Sequence, residues 1–330
     1  MKIAVVILNW NGAKLLQQFL PSVIQYSENA SIYVADNAST DDSIDVLKNE
    51  FPSVKIIQNS SNFGFAQGYN EALQSVEEPY YALVNSDIDV TANWLQPIIE
   101  IFENEPDTAI IQPKILDYKN KSYFEYAGAA GGFIDKLGYP YCRGRIFETL
   151  EQDNGQYNDT SEIFWATGAC FFIRRDVFHV LKGFDADFFA HQEEIDLCWR
   201  AFNLGHKIKY TSKSVVYHVG GATLDVANPR KTYLNFRNSL FMLLKNLPSG
   251  QLFSILFLRM VLDGVAAFKF LLQGKANHFL AVGKAHFSFY QKITHFYSKR
   301  SDKQLKNYFH NQSIVWSYFV KKTKKFLELL

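Results

Sequence analysis

Five short apolar runs rich in β-branched residues punctuate the chain up to about residue 112: KIAVVIL (2–8), SIYVAD (31–36), VKIIQN (54–59), YYALVN (80–85) and TAIIQP (108–113). Between them an apolar residue returns every three or four positions, as in GAKLLQQFLPSVIQYS (12–27) and DDSIDVLKNEF (41–51). Short runs alternating with helical periodicity predict repeated strand–helix–strand units. The expected fold class is α/β, with a mostly parallel central sheet covered by helices on both faces. Ligands of such sheets bind beyond the carboxyl ends of the strands, where Asn9, Asp36, Asn62 and Asp87 fall.

The pattern loosens from about residue 113 to 222. A glycine-rich YAGAAGGFIDKLGYP gives way to a strand-like ATGACFFIRR, a turn KGFDADFFAHQ, a helix EEIDLCWRAFNLG and two short strands ending at VVYHVGG. Beyond about 230 long helical patterns take over, including GQLFSILFLRMVLDGVAAFKFLLQGK, followed by a tail rich in lysine and aromatics. The run 252–272 approaches the length of a membrane span, but Arg259, Asp263 and Lys269 interrupt it, and interior charges are costly in a bilayer. A helix lying in a membrane interface, or packed on the main domain, is expected ahead of a span. The chain divides into a catalytic-sized domain, 1–240, and a helical extension, 241–330.

With 330 residues and a net charge of +1, the chain can bury a large core and has no global pull toward nucleic acid. Cys142, Cys170 and Cys198 are odd in number and form no CxxC pair. They suggest neither a disulfide framework nor a thiolate zinc site, and fit a reducing cytoplasmic setting. The N-terminus lacks a secretory leader's longer apolar stretch and cleavage site, and reads as a first strand.

Candidate chemistry lies at the strand ends. Asp87 and Asp89, one residue apart after an apolar run, can converge on one hard cation such as Mg²⁺ or Mn²⁺. The same NSDID would equally serve as a turn and helix cap. Asp36 could accept hydrogen bonds from a ribose or base, or simply begin a helix. Gly64 and Gly68 open a helix where a diphosphate could approach backbone N–H groups, or where only the turn needs them.

Together, VVILNWNG, VADNASTDDS, NFGFAQGYNEAL, LVNSDIDV, ATGACFFIRRDVF, GFDADFFAHQEEIDLCWRA and YHVGGAT occur in an order and spacing that resembles the family 2 glycosyltransferases of the GT-A fold, a Rossmann-like architecture. The likeness is greatest to the bacterial rhamnosyltransferase-like branch and covers about residues 1–240. It implies inverting transfer of a sugar from a nucleotide-diphosphate donor, with Mn²⁺ or Mg²⁺ holding the diphosphate. On matching positions, Asn9 and Asn11 border the nucleotide pocket, Asp36 meets the base or ribose, and Asn62, Gly68 and Asn70 line the ribose and diphosphate side. Asp87 and Asp89 become the metal pair, with Asp87 also on the donor, and His218 a third ligand.

The resemblance also implies a general base at the start of the EEIDLCWRA helix. The family usually has Glu-Asp there, with the aspartate as base, whereas this chain has Glu193 and Glu194. Glu194 is the expected base and Glu193 the alternative. Asp196 is expected to be structural, with Trp199 and Arg200 serving packing and a salt bridge. In PRKTYLNFRNSLFML, Arg230, Lys231, Arg237 and Asn238 could close over the diphosphate, meet an anionic lipid-linked acceptor, or form a solvated face.

The resulting expectation is a transferase that builds cell-envelope polysaccharide on a saccharide or lipid-linked acceptor, peripheral at the inner face of the membrane. The lysine-rich tail with Trp316, Tyr318 and Phe319 would sit at that interface. Two other readings are a non-catalytic nucleotide-sugar-binding scaffold, suggested by Glu194 in place of aspartate, and a nucleotidyltransferase, which leaves EEIDLCWR unexplained.

Overall fold

A computed structural model describes residues 2–220 and 228–330. The GAT of the YHVGGAT motif lies outside the described residues. Ten of the strands, in order, are β1 (Ile3–Asn9), β2 (Ala30–Asp36), β3 (Lys55–Gln58), β4 (Tyr80–Asn85), β5 (Ile88–Val90), β6 (Thr108–Asp117) and the short β7 (Gly132–Ile134), β8 (Pro140–Cys142), β9 (Arg145–Ile146) and β10 (Thr149–Leu150). β11 (Thr160–Ile163), β12 (Cys170–Arg174) and β13 (Lys207–His218) complete them. The helices are α1 (Ala13–Tyr26), α2 (Ser43–Glu50), α3 (Gly64–Ala72), α4 (Gln96–Asn104), α5 (Arg175–Val180), α6 (Glu193–Asn203), α7 (Pro229–Asn246), α8 (Ser249–Leu272), α9 (Ala276–Ser298) and α10 (Ile314–Phe319).

The main sheet runs β11-β13-β6-β12-β4-β1-β2-β3, with β5 paired to β13. β4, β1, β2 and β3 are parallel, as the alternation of runs implies. β12 inserts antiparallel between β4 and β6, so the far half is mixed. Along β1, Ala4 and Val6 enter the core shared with α3, α6 and α7, while Ile3, Val5 and Ile7 enter the one under α1 and α4. Two apolar faces on one strand therefore require two helical layers.

In place of the two short strands expected before the histidine, β13 is one long strand with a register break between Thr211 and Val215. There the Ser214 hydroxyl donates to the Trp94 carbonyl at 2.6 Å. The glycine-rich stretch after β6 folds into a second sheet, β10-β9-β8-β7.

The division at 240 falls inside α7, one unbroken helix. α8 turns its charges inward: Arg259 pairs with Asp263 at 3.1 Å, donates to the Gly138 carbonyl at 3.1 Å and lies 3.6 Å from the Tyr139 ring centroid. Among the described residues no helix is long and apolar enough to cross a membrane. The tail folds back over the second sheet, where Tyr308 stacks on Trp199 and Phe326 packs against Phe133. Tyr318 bonds Thr149 and packs on Phe147, so it is not free for an interface, whereas Trp316 and Phe319 are exposed.

Candidate active site

The register of the parallel strands sets Asn9 at the end of β1 opposite Asp36 at the end of β2. Asn9 Nδ2 donates to Asp36 Oδ1 at 3.1 Å and to Ser39 Oγ at 3.2 Å, and the Ser39 N–H donates to Asp36 Oδ2 at 2.9 Å. Asn11 joins this rim, its Oδ1 accepting from the Thr40 N–H at 2.7 Å. Asn9 Oδ1 is buried without a hydrogen-bond partner, and a Cβ at Gly12 would stand 2.4 Å from it. A side chain at residue 12 would therefore press on the buried Asn9 amide, which favours glycine there.

Asn37, which carries no motif signal of its own, organises the entry to α3. Its Nδ2 donates to Asn62 Oδ1 and to the Gly64 carbonyl, both at 3.0 Å, and its Oδ1 accepts from Asn59 Nδ2 at 3.0 Å. Two residues expected on the ribose and diphosphate side are used locally for other purposes. A Cβ on Gly68 would come within 3.1 Å of both the Asn37 amide and Leu8, so its bareness lets α3 pack closely. Asn70 spends its amide on the Phe184 backbone, donating to the carbonyl at 2.8 Å and accepting from the N–H at 2.9 Å.

β5 pairs antiparallel with the end of β13, with His218 opposite Ile88. Ile88 and Val90 face the core; Asp87, just before β5, comes into contact with the histidine, whereas Asp89 lies opposite Tyr217. His218 Nε2 lies 3.1 Å from Asp87 Oδ1, and Nδ1 lies 3.2 Å from Glu125 Oε1. Neither nitrogen is directed at its oxygen well enough to form a hydrogen bond. Burial lowers the imidazole's pKa, but the two carboxylates more than reverse that and hold it at about 10. Glu125 was not anticipated, because it lies in an irregular segment without a motif.

Mn²⁺ and Mg²⁺ prefer oxygen ligands, and Mn²⁺ accepts imidazole nitrogen, so the residue types here suit such an ion. Asp87 and His218 are in contact, Glu125 lies beside the other imidazole nitrogen, and Asp89 is two residues from Asp87, opposite Tyr217 on β13. Asp89 itself is 3.9 Å from Lys121 Nζ. Among the described residues no three of His, Cys, Asp or Glu stand together in a group that could hold a metal ion.

The third group of residues begins α6. Glu193 and Glu194 occupy its first turn, and each has an Oε2 out of solvent without a hydrogen-bond partner. Burial, then the charge on Glu194, push Glu193 well above the ordinary carboxylate range. Burial also raises Glu194, surrounding backbone N–H groups pull it partly back, and it settles at about 7. A base works best when its pKa lies near the working pH, and the value of about 7 at Glu194 meets that condition. Asp196, fully buried, meets Arg200 and Lys245 at 2.8 Å and Asn246 at 2.8 Å, as befits a structural carboxylate. Trp199 and Arg200 serve packing and pairing, as expected.

The basic residues of α7 do not share one task. The Arg230 guanidinium lies 5.3 Å from the Phe189 ring centroid. Arg237 and Asn238, considered above for the diphosphate or acceptor, bind backbone carbonyls of 187–191 instead.

Comparison with known proteins agrees with this arrangement. An N-acetylglucosaminyl-diphospho-decaprenol L-rhamnosyltransferase of Mycobacterium tuberculosis is 22% identical over 230 residues, 65% of this chain and 75% of that protein. The crystal structure of Staphylococcus aureus TarS 1–349 with UDP-GlcNAc superposes with a TM-score of 0.57 at 16% identity, covering 90% of this chain and 84% of that one. GalNAc-T7, crystallised with UDP, GalNAc and Mn²⁺, gives a TM-score of 0.58 at 17% identity over 73% of this chain and 48% of that one. Both likenesses establish the GT-A fold. The sequence model of one family, Glycosyl transferase family 2, matches residues 4–181. With more than half its length matched, the chain belongs to glycosyl transferase family 2 and is a glycosyltransferase.

Proposed function

We propose that the protein is an inverting, metal-dependent transferase that moves rhamnose from a dTDP donor, or a hexose from a UDP donor, onto a lipid-linked or oligosaccharide acceptor in cell-envelope polysaccharide synthesis. The observation that carries this reading is the contrast between two carboxylate sets. Asp87 and Asp89 lie at the strand ends, with Asp87 in contact with His218, whereas the buried Glu193 and half-buried Glu194 each keep one carboxylate oxygen out of solvent without a partner at a helix start, with Glu194 near 7. The first set suits a cation and diphosphate, and the second suits removal of a proton.

Asn9, Asn11 and Asp36 hold the nucleoside at the ends of β1 and β2. Asp87, Asp89 and His218 would hold the divalent ion, which supplies positive charge for the departing diphosphate. Glu194 takes the proton of the acceptor hydroxyl as that oxygen bonds to the anomeric carbon. The bond from that carbon to the diphosphate oxygen breaks with its electron pair, and nucleoside diphosphate leaves from the opposite face, inverting the configuration. A scaffold would have no use for an unpartnered carboxylate poised near neutrality. The M. tuberculosis relative, by its name, acts on a diphospho-decaprenol acceptor, which favours a lipid-linked acceptor here.

A membrane-surface location has its own support. Between residues 249 and 300 the sole acid is Asp263, which is buried, while the basic residues include Lys269, Lys275, Lys284 and Lys292. On the same helices Phe253, Phe257, Val265, Leu272 and Phe287 are exposed. An apolar face with basic flanks fits an anionic bilayer surface. The test of the reaction is product analysis with candidate donors: release of nucleoside diphosphate supports glycosyl transfer, and release of pyrophosphate overturns it in favour of nucleotidyl transfer.

A further inference from the structure

The loop that delivers Glu193 and Glu194 is held in an unfavourable conformation. Phe189, His191 and Gln192, none of them glycine, have φ of 65°, 70° and 73°. Residues with a Cβ occupy this left-handed region at a cost of about 1–2 kcal/mol each, so such a run persists only where its surroundings enforce it. The enforcing group comes from α7. Asn238, fully buried, directs Nδ2 at three carbonyls of the loop: Phe188 at 3.0 Å, Ala190 at 2.9 Å and His191 at 2.7 Å. Two hydrogens serve three acceptors, so one is shared.

Arg237 fixes the amide from behind. Its Nε donates to Asn238 Oδ1 at 2.9 Å, which settles which end of the amide faces the loop, and its Nη2 reaches the Asp187 and Phe188 carbonyls at 3.1 Å. Together the two side chains contact a near-continuous series of carbonyls from residue 187 to 191, and the carboxylate pair follows two residues later.

We propose that Asn238, oriented by Arg237, is a positioning residue that shapes the 187–192 loop so that the Glu194 carboxylate stands where the acceptor hydroxyl arrives. Helix α7, which runs across the boundary between the catalytic domain and the helical extension, is thereby part of the catalytic apparatus. This rests on the reading of Glu194 as the base. Asn238 touches no substrate; it acts through the loop backbone, and a displacement of about 1 Å there can cost on the order of a hundredfold in rate.

The test variant is Asn238→Asp, which keeps size and shape but replaces the donating amide with a carboxylate facing three carbonyl oxygens. Arg237→Leu is a second variant if that protein folds poorly, and Asn235→Ala, on the same helix, is the control. The full chain is compared by steady-state kinetics, alone and combined with Glu194→Gln, and by hydrogen exchange of the peptide spanning the loop.

Asn238→Asp is expected to accelerate exchange in 187–192 alone and to lower kcat about 10- to 100-fold, with the donor KM within twofold. In the Glu194→Gln background it should lower kcat no further. Asn235→Ala should match the wild type. Exchange in the loop no faster than elsewhere overturns the proposal, whatever the kinetics. So does an equal kcat loss with and without Glu194, since a general structural defect would act in both backgrounds. If Glu194→Gln retains full turnover while the loop still loosens in Asn238→Asp, the base assignment fails and the clamp on the loop stands.

Discussion

Replacing Glu194 by glutamine should move activity and stability in opposite directions. In the folded protein burial lifts this carboxyl from the ordinary 4.5 to about 7, so between those values the native state holds a proton that the unfolded chain has released. The unfolded state then binds fewer protons, and stability falls as pH rises through the window. Above about pH 7 the full cost is present. A shift of this size corresponds to roughly 3 kcal/mol, and because Glu194 is half-buried as a residue, solvent screening reduces the expectation to about 2 kcal/mol.

Glutamine fills the same space without charge, so it should raise the melting temperature at pH 8 and change it little at pH 4. Turnover should drop by about 10²–10⁴, the usual worth of a general base. In the wild type kcat/KM should rise with pH to a plateau above an apparent pKa near 7, and that limb should vanish in the variant. Calorimetry at the two pH values and a nucleoside diphosphate release assay measure both effects. A variant that is inactive and also less stable at pH 8 would refute the reasoning, since Glu194 would then be a structural carboxylate.

Asp89→Ala should lower turnover at least a hundredfold at saturating donor. Its fold should survive, because the partly exposed pair with Lys121 is worth about 0–1 kcal/mol; unchanged turnover would remove Asp89 from the metal site. Lys245→Met breaks a buried pair with Asp196 and should cost about 3–5 kcal/mol in denaturant unfolding. Burial acts to raise Asp196, but Lys245 and Arg200 outweigh it and hold the group at about 2. The wild type should therefore keep this contribution above about pH 4 and lose it as pH falls toward 2, while the variant should unfold at a higher pH; an unchanged acid midpoint would contradict the assignment. The full chain should cosediment with vesicles containing anionic lipid more strongly than with zwitterionic ones. Phe253→Ser with Phe257→Ser should weaken this without altering transfer to a soluble acceptor, and equal binding to both vesicle types would oppose the charge argument.

What could be read from the chain follows from the range of the forces involved. Strand–helix alternation and strand-end polar residues are local signals, and they set Asn9, Asp36 and Asp87 at the strand ends, whereas the α6 carboxylates are singled out by the family resemblance. The antiparallel insertion of β12 between β4 and β6 depends on pairing across some sixty residues, which no local period records. Glu125 reaches His218 from a distant irregular segment, and Asn238 reaches the 187–192 loop from α7. Gly64 and Gly68 carry the spacing of a diphosphate turn and the resemblance adds Asn70, but the packing of Asn37 against Gly68 and the bond from Asn70 to the Phe184 backbone leave no local trace in the sequence.

The central claim, a nucleotide-diphosphate donor held through a divalent ion, is tested most directly by thermal unfolding with dTDP, UDP or GDP in the presence of Mn²⁺ or of EDTA. A ligand that binds only the native state stabilises it by about 2.7 kcal/mol at a hundredfold excess over its dissociation constant. The expected result is a rise in melting temperature with dTDP or UDP that Mn²⁺ permits and EDTA abolishes. The same rise with EDTA present, or none with any nucleotide, would contradict the claim.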